Sequence, residues 1–195
     1  MAVYQLSAFP KALTLNDGGV VTVRPMAEGD AAALLAFFRH VPDDERYFLK
    51  DDVVSQPVIA GWAANLDYDR ALPLLALDGD RICADAVLIR HRGDARSHYA
   101  EVRVVVAPDY RQRGLGRTLL RELIDIAWDA EIEVVQGEFV EGVQDDALAS
   151  IRELGGCTAG RIEDAYRGRD NRPHDLIVLR MPLGKSWEWT RRDLG

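Results

Sequence analysis

The stretch from Glu101 to Leu120, Glu-Val-Arg-Val-Val-Val-Ala-Pro-Asp-Tyr-Arg-Gln-Arg-Gly-Leu-Gly-Arg-Thr-Leu-Leu, constrains the chain more than any other. A valine-rich run with strand character enters a loop carrying Gly114 and Gly116. That loop opens a segment in which Leu115, Leu119, Leu123 and Ala127 recur at helical spacing. The first backbone N–H groups of such a helix lack intrahelical partners and lie at the positive end of its macrodipole. The two glycines remove side chains that would keep an anion away from the backbone, and Arg111, Arg113 and Arg117 add charge around it. The segment is therefore an anion cradle, of the kind that takes a phosphate. A P-loop needs Gly-x4-Gly-Lys-Ser/Thr, and its first glycine and lysine are missing. A Rossmann turn needs a third glycine, where this chain has Leu119, and a parallel unit early in the fold.

The rest of the chain reads as a mixed α/β (α+β) domain, with an antiparallel meander before the cradle and strand-helix-strand-helix and a terminal hairpin after it. Residues 12–15 and 20–24 flank Asn16-Asp-Gly-Gly19 as a hairpin, and Pro25 closes the second strand. Asp30 is placed to N-cap a helix through Val41, with Leu34, Phe37, Phe38 and Val41 on one stripe. A second helix starts near Ser55-Gln-Pro57, with Val58, Ile59, Trp62, Ala63 and Leu66 on its apolar face. A charged connector, 43–52, separates the two. Strands follow at 72–77 and 82–89 around Asp78-Gly-Asp80, then at 99–107 and, after the helix through Ala130, at 132–140. A short helix over 145–154 stops at Gly155-Gly156, and strands 157–167 and 174–181 pair around the intervening loop. Residues 1–183 are expected to form one domain, with a hairpin at about 12–24 and a tail at 184–195. Trp187 and Trp189 could pack that tail on the body or at a homodimer contact.

Composition removes several classes of function. With 24 basic and 32 acidic residues the formal charge is -8, so nucleic acid is not an expected partner. No apolar run approaches the ~18 residues of a membrane span, and no leader pattern precedes the first strand, so no membrane partner is expected and the expected location is cytoplasmic. Cys83 and Cys157 are too few for a disulfide framework or a four-cysteine zinc site. The histidines at 40, 91, 98 and 174 lack metal-ligand spacing, and no metal is expected.

At Arg111-Gln-Arg-Gly114-Leu-Gly116 the chain resembles the GCN5-related N-acetyltransferase (GNAT) family, whose acetyl-CoA signature is Arg/Gln-x-x-Gly-x-Gly/Ala. The valine strand before it, Ala107-Pro-Asp-Tyr110 at the junction and the leucine-rich helix after it strengthen the match. The opening Val23-Arg-Pro-Met-Ala-Glu-Gly-Asp30 also looks like this family, and the resemblance extends over about 20–183. It implies a mixed, mostly antiparallel sheet flanked by helices and splayed between the family's fourth and fifth strands, with acetyl-CoA as acyl donor in the cleft. The pyrophosphate would sit on the backbone amides of Gln112, Arg113, Gly114, Leu115, Gly116 and Arg117, with Arg111 beside them and Thr118 assisting. The pantetheine arm would pair like a strand with Val104, Val105 and Val106. Those valines also read as strand core, and the arginines as a solvated helix entry. The family motif Asn-x-x-Ala-x-x-Leu-Tyr-x-x-x-Gly-Phe maps onto 144–156. Gln144 stands for the asparagine, among the cofactor contacts, and Ile151 for the tyrosine that often serves as general acid.

Amide formation from a thioester needs an uncharged amine, so a base must take the ammonium proton. Glu101 lies where similar enzymes often carry a glutamate base. Strand alternation puts Tyr99, Glu101 and Arg103 on one face, which permits a structural ion pair as well. Burial would raise the glutamate pKa and Arg103 would lower it. Tyr166, Tyr99 and Cys157 are the alternative proton donors, and His98 a relay. The acids at 43, 44, 45, 51 and 52 could steer a cationic acceptor or form a solvated loop. The function expected is transfer of acetyl from acetyl-CoA to a primary amine of a small molecule or protein lysine, directly in a ternary complex. A non-catalytic acyl-CoA sensor or interaction module is the alternative.

Overall fold

A computed structural model describes Tyr4, residues 6–91 and residues 94–184. The tail tryptophans lie outside the described residues. The strands are β1 (Lys11–Thr14), β2 (Val20–Pro25), β3 (Ala71–Asp78), β4 (Arg81–Arg90), β5 (Tyr99–Val106), β6 (Val134–Val140), β7 (Cys157–Arg167) and β8 (Pro173–Pro182). The helices are α1 (Ala31–His40), α2 (Asp43–Arg46), α3 (Gln56–Ala64), α4 (Leu115–Asp129) and α5 (Asp145–Glu153). The strands form one sheet in the order β1-β2-β3-β4-β5-β6-β8-β7. The β1–β2 and β3–β4 turns contain Gly18 (φ +84°) and Gly79 (φ +58°), a conformation that glycine adopts without steric cost.

All neighbouring strands pair antiparallel except β5 and β6, which are parallel and in register only over Tyr99↔Val134, Ala100↔Val135 and Glu101↔Gln136. From Val102 onward β5 keeps β4 on one side, with Val106 opposite Ala84, but has no β6 partner on the other. The splay expected between the family's fourth and fifth strands therefore lies between β5 and β6, because the N-terminal hairpin adds a strand ahead of them.

The core forms around the apolar stripe of α4. Leu115, Leu119, Leu120, Leu123 and Ala127 are buried, and α4 packs on β4 and β5. Alternation on β5 turns Val102, Val104 and Val106 toward α4, where a Cβ added at Gly116 would come within 3.3 Å of the Val106 side chain. Glu101, Arg103 and Val105 point to the opposite face.

Three local expectations change. Asp30 does precede α1 but makes no side-chain cap to it. Its carboxylate turns back to accept the Ala27 N–H at 2.7 Å and a two-pronged bond from Arg24 at 2.6 and 2.7 Å. The charged connector contains the helical turn α2. Strand β6 begins at Val134 instead of 132, because the Ile132 N–H bonds back to Ala127 O and closes the end of α4.

The Arg24 bond holds the Asp30 carboxyl below its ordinary range against the opposing effect of burial. This contribution is present above the unfolded pKa and is lost as pH falls through the lower folded value. Asp30→Ala should lose about 1.5–3 kcal/mol in urea unfolding at pH 7, the range for hydrogen bonds to charged groups. The gap from the unsubstituted protein should narrow below about pH 4.

Candidate active site

The cleft between β5 and β6 ends, on the β5 side, in the loop that enters α4. Arg111 follows a short 3-10 turn over Pro108–Tyr110. Gln112 (φ +56°) and Gly114 (φ +81°) are both left-handed. This reverses the chain sharply and aims the first turn of α4 back toward the strand end. Thr118 N–H to Gly114 O, 3.0 Å, is the first helical bond, so the amides before it are not held within the helix. The N-terminal hairpin supports the loop from outside. Asn16 N–H bonds Arg113 O at 3.0 Å, and the Asn16 side chain occupies the space a Cβ on Gly114 would need. The loop is therefore glycine-dependent at Gly114, while at Gly116 a Cβ would meet the Val106 side chain at 3.3 Å.

The arginines around the cradle do not stand free. Arg111 makes a fork to Glu45 at 2.7 and 2.6 Å and donates from Nε to Val106 O at 3.1 Å. Arg113 pairs with Asp17 at 2.6 Å, and Arg117 with Glu153 of α5 at 2.7 Å. Leu115 is buried in the core beneath the loop. The Thr118 hydroxyl donates to Gly114 O at 3.1 Å. Gln144 begins α5, and its side-chain oxygen accepts the Val140 N–H at 2.8 Å. Val104, Val105 and Val106 are half-buried, with one backbone edge beyond the reach of β6.

At the base of the splay, Glu101 is the last β5 residue paired with β6. Lys50, from the segment between α2 and α3, reaches across both strands. Its Nζ lies 2.7 Å from Glu101 Oε1 and 2.7 Å from Glu138 Oε2. Arg103 Nε donates to the same Glu101 oxygen at 2.9 Å. Burial pushes the Glu101 carboxyl up, but the bonds from Lys50 and Arg103 outweigh it, and the pKa ends below the usual value. For Lys50, burial disfavours the charge, and the two glutamates more than restore it. The ion pair anticipated between Glu101 and Arg103 is present, and Glu101 is a carboxylate at neutral pH.

The acids of the connector are largely committed as well. Asp43 pairs with Arg46 and Arg169, Glu45 with Arg111, and Asp51 with Arg103 at 3.3 Å. The paired acids stay exposed or half-exposed, as a solvated loop would be. Phe48 packs against Tyr166 and His174 at 6.2 and 5.2 Å between ring centres. Residues 43–50 thus form a strap from the cradle, across the base of the splay, to the β7–β8 hairpin.

Of the alternative proton donors, Tyr166 is held in that aromatic group, and Cys157 is exposed at the start of β7. Tyr99 is buried on the Glu101 face under Arg96 and Arg180, and burial raises its hydroxyl pKa. His98 is exposed in the turn before β5. Ile151 is buried in the core, against Gly137 and Gly156.

Sequence reading gave no sign of Asn16, Asp17, Lys50, Glu138 or Asp85. Asp85 sits in the otherwise apolar middle of β4, opposite Val105 and Leu75, on the face that carries Glu101 and Arg103. It is buried, and its Oδ1 has no hydrogen-bond partner. Burial pushes its carboxyl up to about 7, with Arg103 opposing only in part.

A splayed sheet whose strand edge leads to a glycine-shaped helix start defines an acyltransferase class of fold. A model described as the acetyltransferase (GNAT) family matches residues 30–155, and the chain belongs to that family. It is 28% identical over 119 residues to "Acetyltransferase PA5475" of Pseudomonas aeruginosa, covering 58% of this chain and 63% of that protein. Across the curated relatives it matches, the chain spans 30% to 63% of their lengths. Among solved structures, a ribosomal-protein-alanine N-acetyltransferase from Brucella melitensis superposes with a TM-score of 0.70 at 25% identity, over 83% of this chain and 99% of that one. An acetyltransferase from Salmonella typhimurium, solved with acetyl-CoA, shares the fold at 20% identity and a TM-score of 0.70, over 85% of this chain and 95% of that one.

The Asp85 shift has a definite sign. Between the unfolded pKa near 4 and the folded value near 7 the native state binds the extra proton, so stability falls as pH rises through that window. Asp85→Asn should raise the melting temperature relative to the unsubstituted protein at pH 8, by several degrees, and give little gain at pH 4. Scanning calorimetry across this range checks it.

Proposed function

We propose that the chain transfers the acetyl group of acetyl-CoA to the nitrogen of a primary amine by direct attack in a ternary complex. The observation that carries this reading is the β5 backbone edge left open beside β6 and running into the left-handed Gly114 and the start of α4. The residues fit the donor. Amides from Gln112 to Arg117 would hold the pyrophosphate, and the backbone of Val104, Val105 and Val106 would pair with the pantetheine arm. Arg111, Arg113 and Arg117 would add charge, each by sharing or leaving its carboxylate partner. Thr118 and Gln144 contribute mainly by fixing Gly114 O and Val140 N–H at the mouth.

The bound thioester supplies an activated acyl carbon. Glu101, ionised and at the base of the splay, accepts the proton that the acceptor ammonium must lose. The departing thiolate takes its proton from water or from the nearby Tyr99. Since Lys50 and Arg103 keep Glu101 ionised below the ordinary glutamate range, the rate should not fall between pH 7 and pH 6 through protonation of Glu101. A loss of rate there would come from another group, such as Asp85 on the same face, whose carboxyl burial pushes up to about 7. A non-catalytic acyl-CoA-binding role is the second reading, favoured by Ile151, which is buried where many relatives place a tyrosine donor.

Calorimetric titration with acetyl-CoA, with free CoA as reference, tests the cradle. Saturable one-site binding is expected, and none would remove the reading. Gly114→Ala should weaken this binding at least tenfold, because the substitution combines a positive φ with a collision at Asn16. Release of CoA thiol that depends on an added primary amine separates catalysis from sensing. Glu101→Gln should lower that turnover by about 10²–10⁴, the range for general base catalysis, while acetyl-CoA still binds.

A further inference from the structure

Among the described residues, Lys50 places an amine at the base of the cleft. Lys50 Nζ lies between Glu101 on β5 and Glu138 on β6, 2.7 Å from each, where the two strands have just parted. Its side chain is about one-third exposed, while those of Glu101 and Glu138 are more deeply covered. On the reading above, the pantetheine arm runs from Val106 back to Val104. Its acyl end is then directed down β5 toward Arg103 and Glu101, the side from which Lys50 is held. Leu49 is packed against the core and Val53 is buried, so the segment that carries Lys50 is anchored on both sides of it.

We propose that Lys50 is a self-acetylation site, modified in cis by the chain's own bound acetyl-CoA. This rests on the reading of the cleft as the acetyl-CoA site. The Lys50 ammonium passes a proton to Glu101 Oε1, to which it is already hydrogen-bonded. The freed amine then attacks the thioester carbonyl carbon. A C–N bond forms, the C–S bond breaks, and CoA leaves as a thiolate that is protonated by solvent. Glu101 returns its proton to solvent, and no oxidant or reductant is needed. The paired glutamates hold Lys50 protonated at rest, but they would hold any acceptor ammonium in the same way, so the base that serves a substrate amine serves Lys50. Acetylation removes the cation that bridges the two strands and leaves Glu101 and Glu138 facing the cleft, a setting that suits the ammonium of a second, diffusible amine.

The lysines of the chain are Lys11, Lys50 and Lys185, which makes the test site-resolved. Lys11 pairs with Glu122 on the outside of the fold and reports background acetylation. The purified full chain is incubated with acetyl-CoA and followed by intact mass and peptide mapping. Lys50 is expected to acquire one acetyl group at least about tenfold faster than Lys11, as proximity to a bound thioester requires. The rate per molecule should not change with protein concentration. Lys50→Arg should lose this modification and keep the Lys11 background, and Glu101→Gln should slow it at least tenfold. Saturable acetyl-CoA binding with Lys50 modified no faster than Lys11, or as fast in urea as in the folded chain, overturns the proposal and leaves the cofactor reading standing. A rate per molecule that rises with protein concentration overturns the cis route. Absence of acetyl-CoA binding overturns both the proposal and the reading beneath it.

Discussion

The site depends on the early parting of β5 and β6. Three register pairs hold them together, and beyond Glu101 the β5 backbone keeps its β4 ladder on one side only. An unpaired strand edge inside a sheet is costly unless water or a ligand satisfies it. Here the edge leads straight to the uncommitted amides at the start of α4. The two backbone features are continuous because a short, left-handed loop joins them. That loop in turn depends on Gly114 and on the Asn16 turn behind it, with Gly116 packed close beneath Val106.

The charged groups around this surface are arranged as exchangeable pairs. Arg111–Glu45, Arg113–Asp17 and Arg117–Glu153 are partly or well exposed, and pairs of that kind contribute about 0–1 kcal/mol each. Their value to stability is small, and so is the cost of opening them. A pyrophosphate carries more charge than any one of the carboxylates it would compete with. The net charge of -8 and the anion cradle are therefore compatible: acidic side chains hold the arginines in place without burying them.

Much of the fold was legible locally. Glycine turns marked both early hairpins, helical spacing marked α4 and α5, and the valine strand with its Gly-x-Gly loop marked β5 and the entry to α4. Asp30 precedes α1, as its place in the sequence indicates, but its carboxylate bonds Arg24 and Ala27, because Arg24 becomes its neighbour only once β2 and the start of α1 are folded together. The polar half of the site was less legible. Lys50 meets Glu101 across 51 residues and Arg111 meets Glu45 across 66, and no periodicity records such contacts. Asp85 lies within Ile82-Cys-Ala-Asp-Ala-Val-Leu, where the apolar neighbours report burial and give no sign of the missing partner.

The strap of residues 43–50 gives these long-range pairs a common logic. Glu45 engages the cradle through Arg111, Lys50 engages the base of the splay, and Phe48 packs against Tyr166 and His174. The same short segment thus touches the place proposed for phosphate and the place proposed for the acyl group. A phosphate that draws Arg111 away from Glu45 frees one attachment of the strap, and loss of the Lys50 charge frees another. The aromatic contacts with the terminal hairpin are untouched by either event. On the proposed reading the donor and acceptor sides would share this one segment, held by the half-exposed Arg111–Glu45 pair at one end and by the more deeply covered Lys50–Glu101 and Lys50–Glu138 pairs at the other.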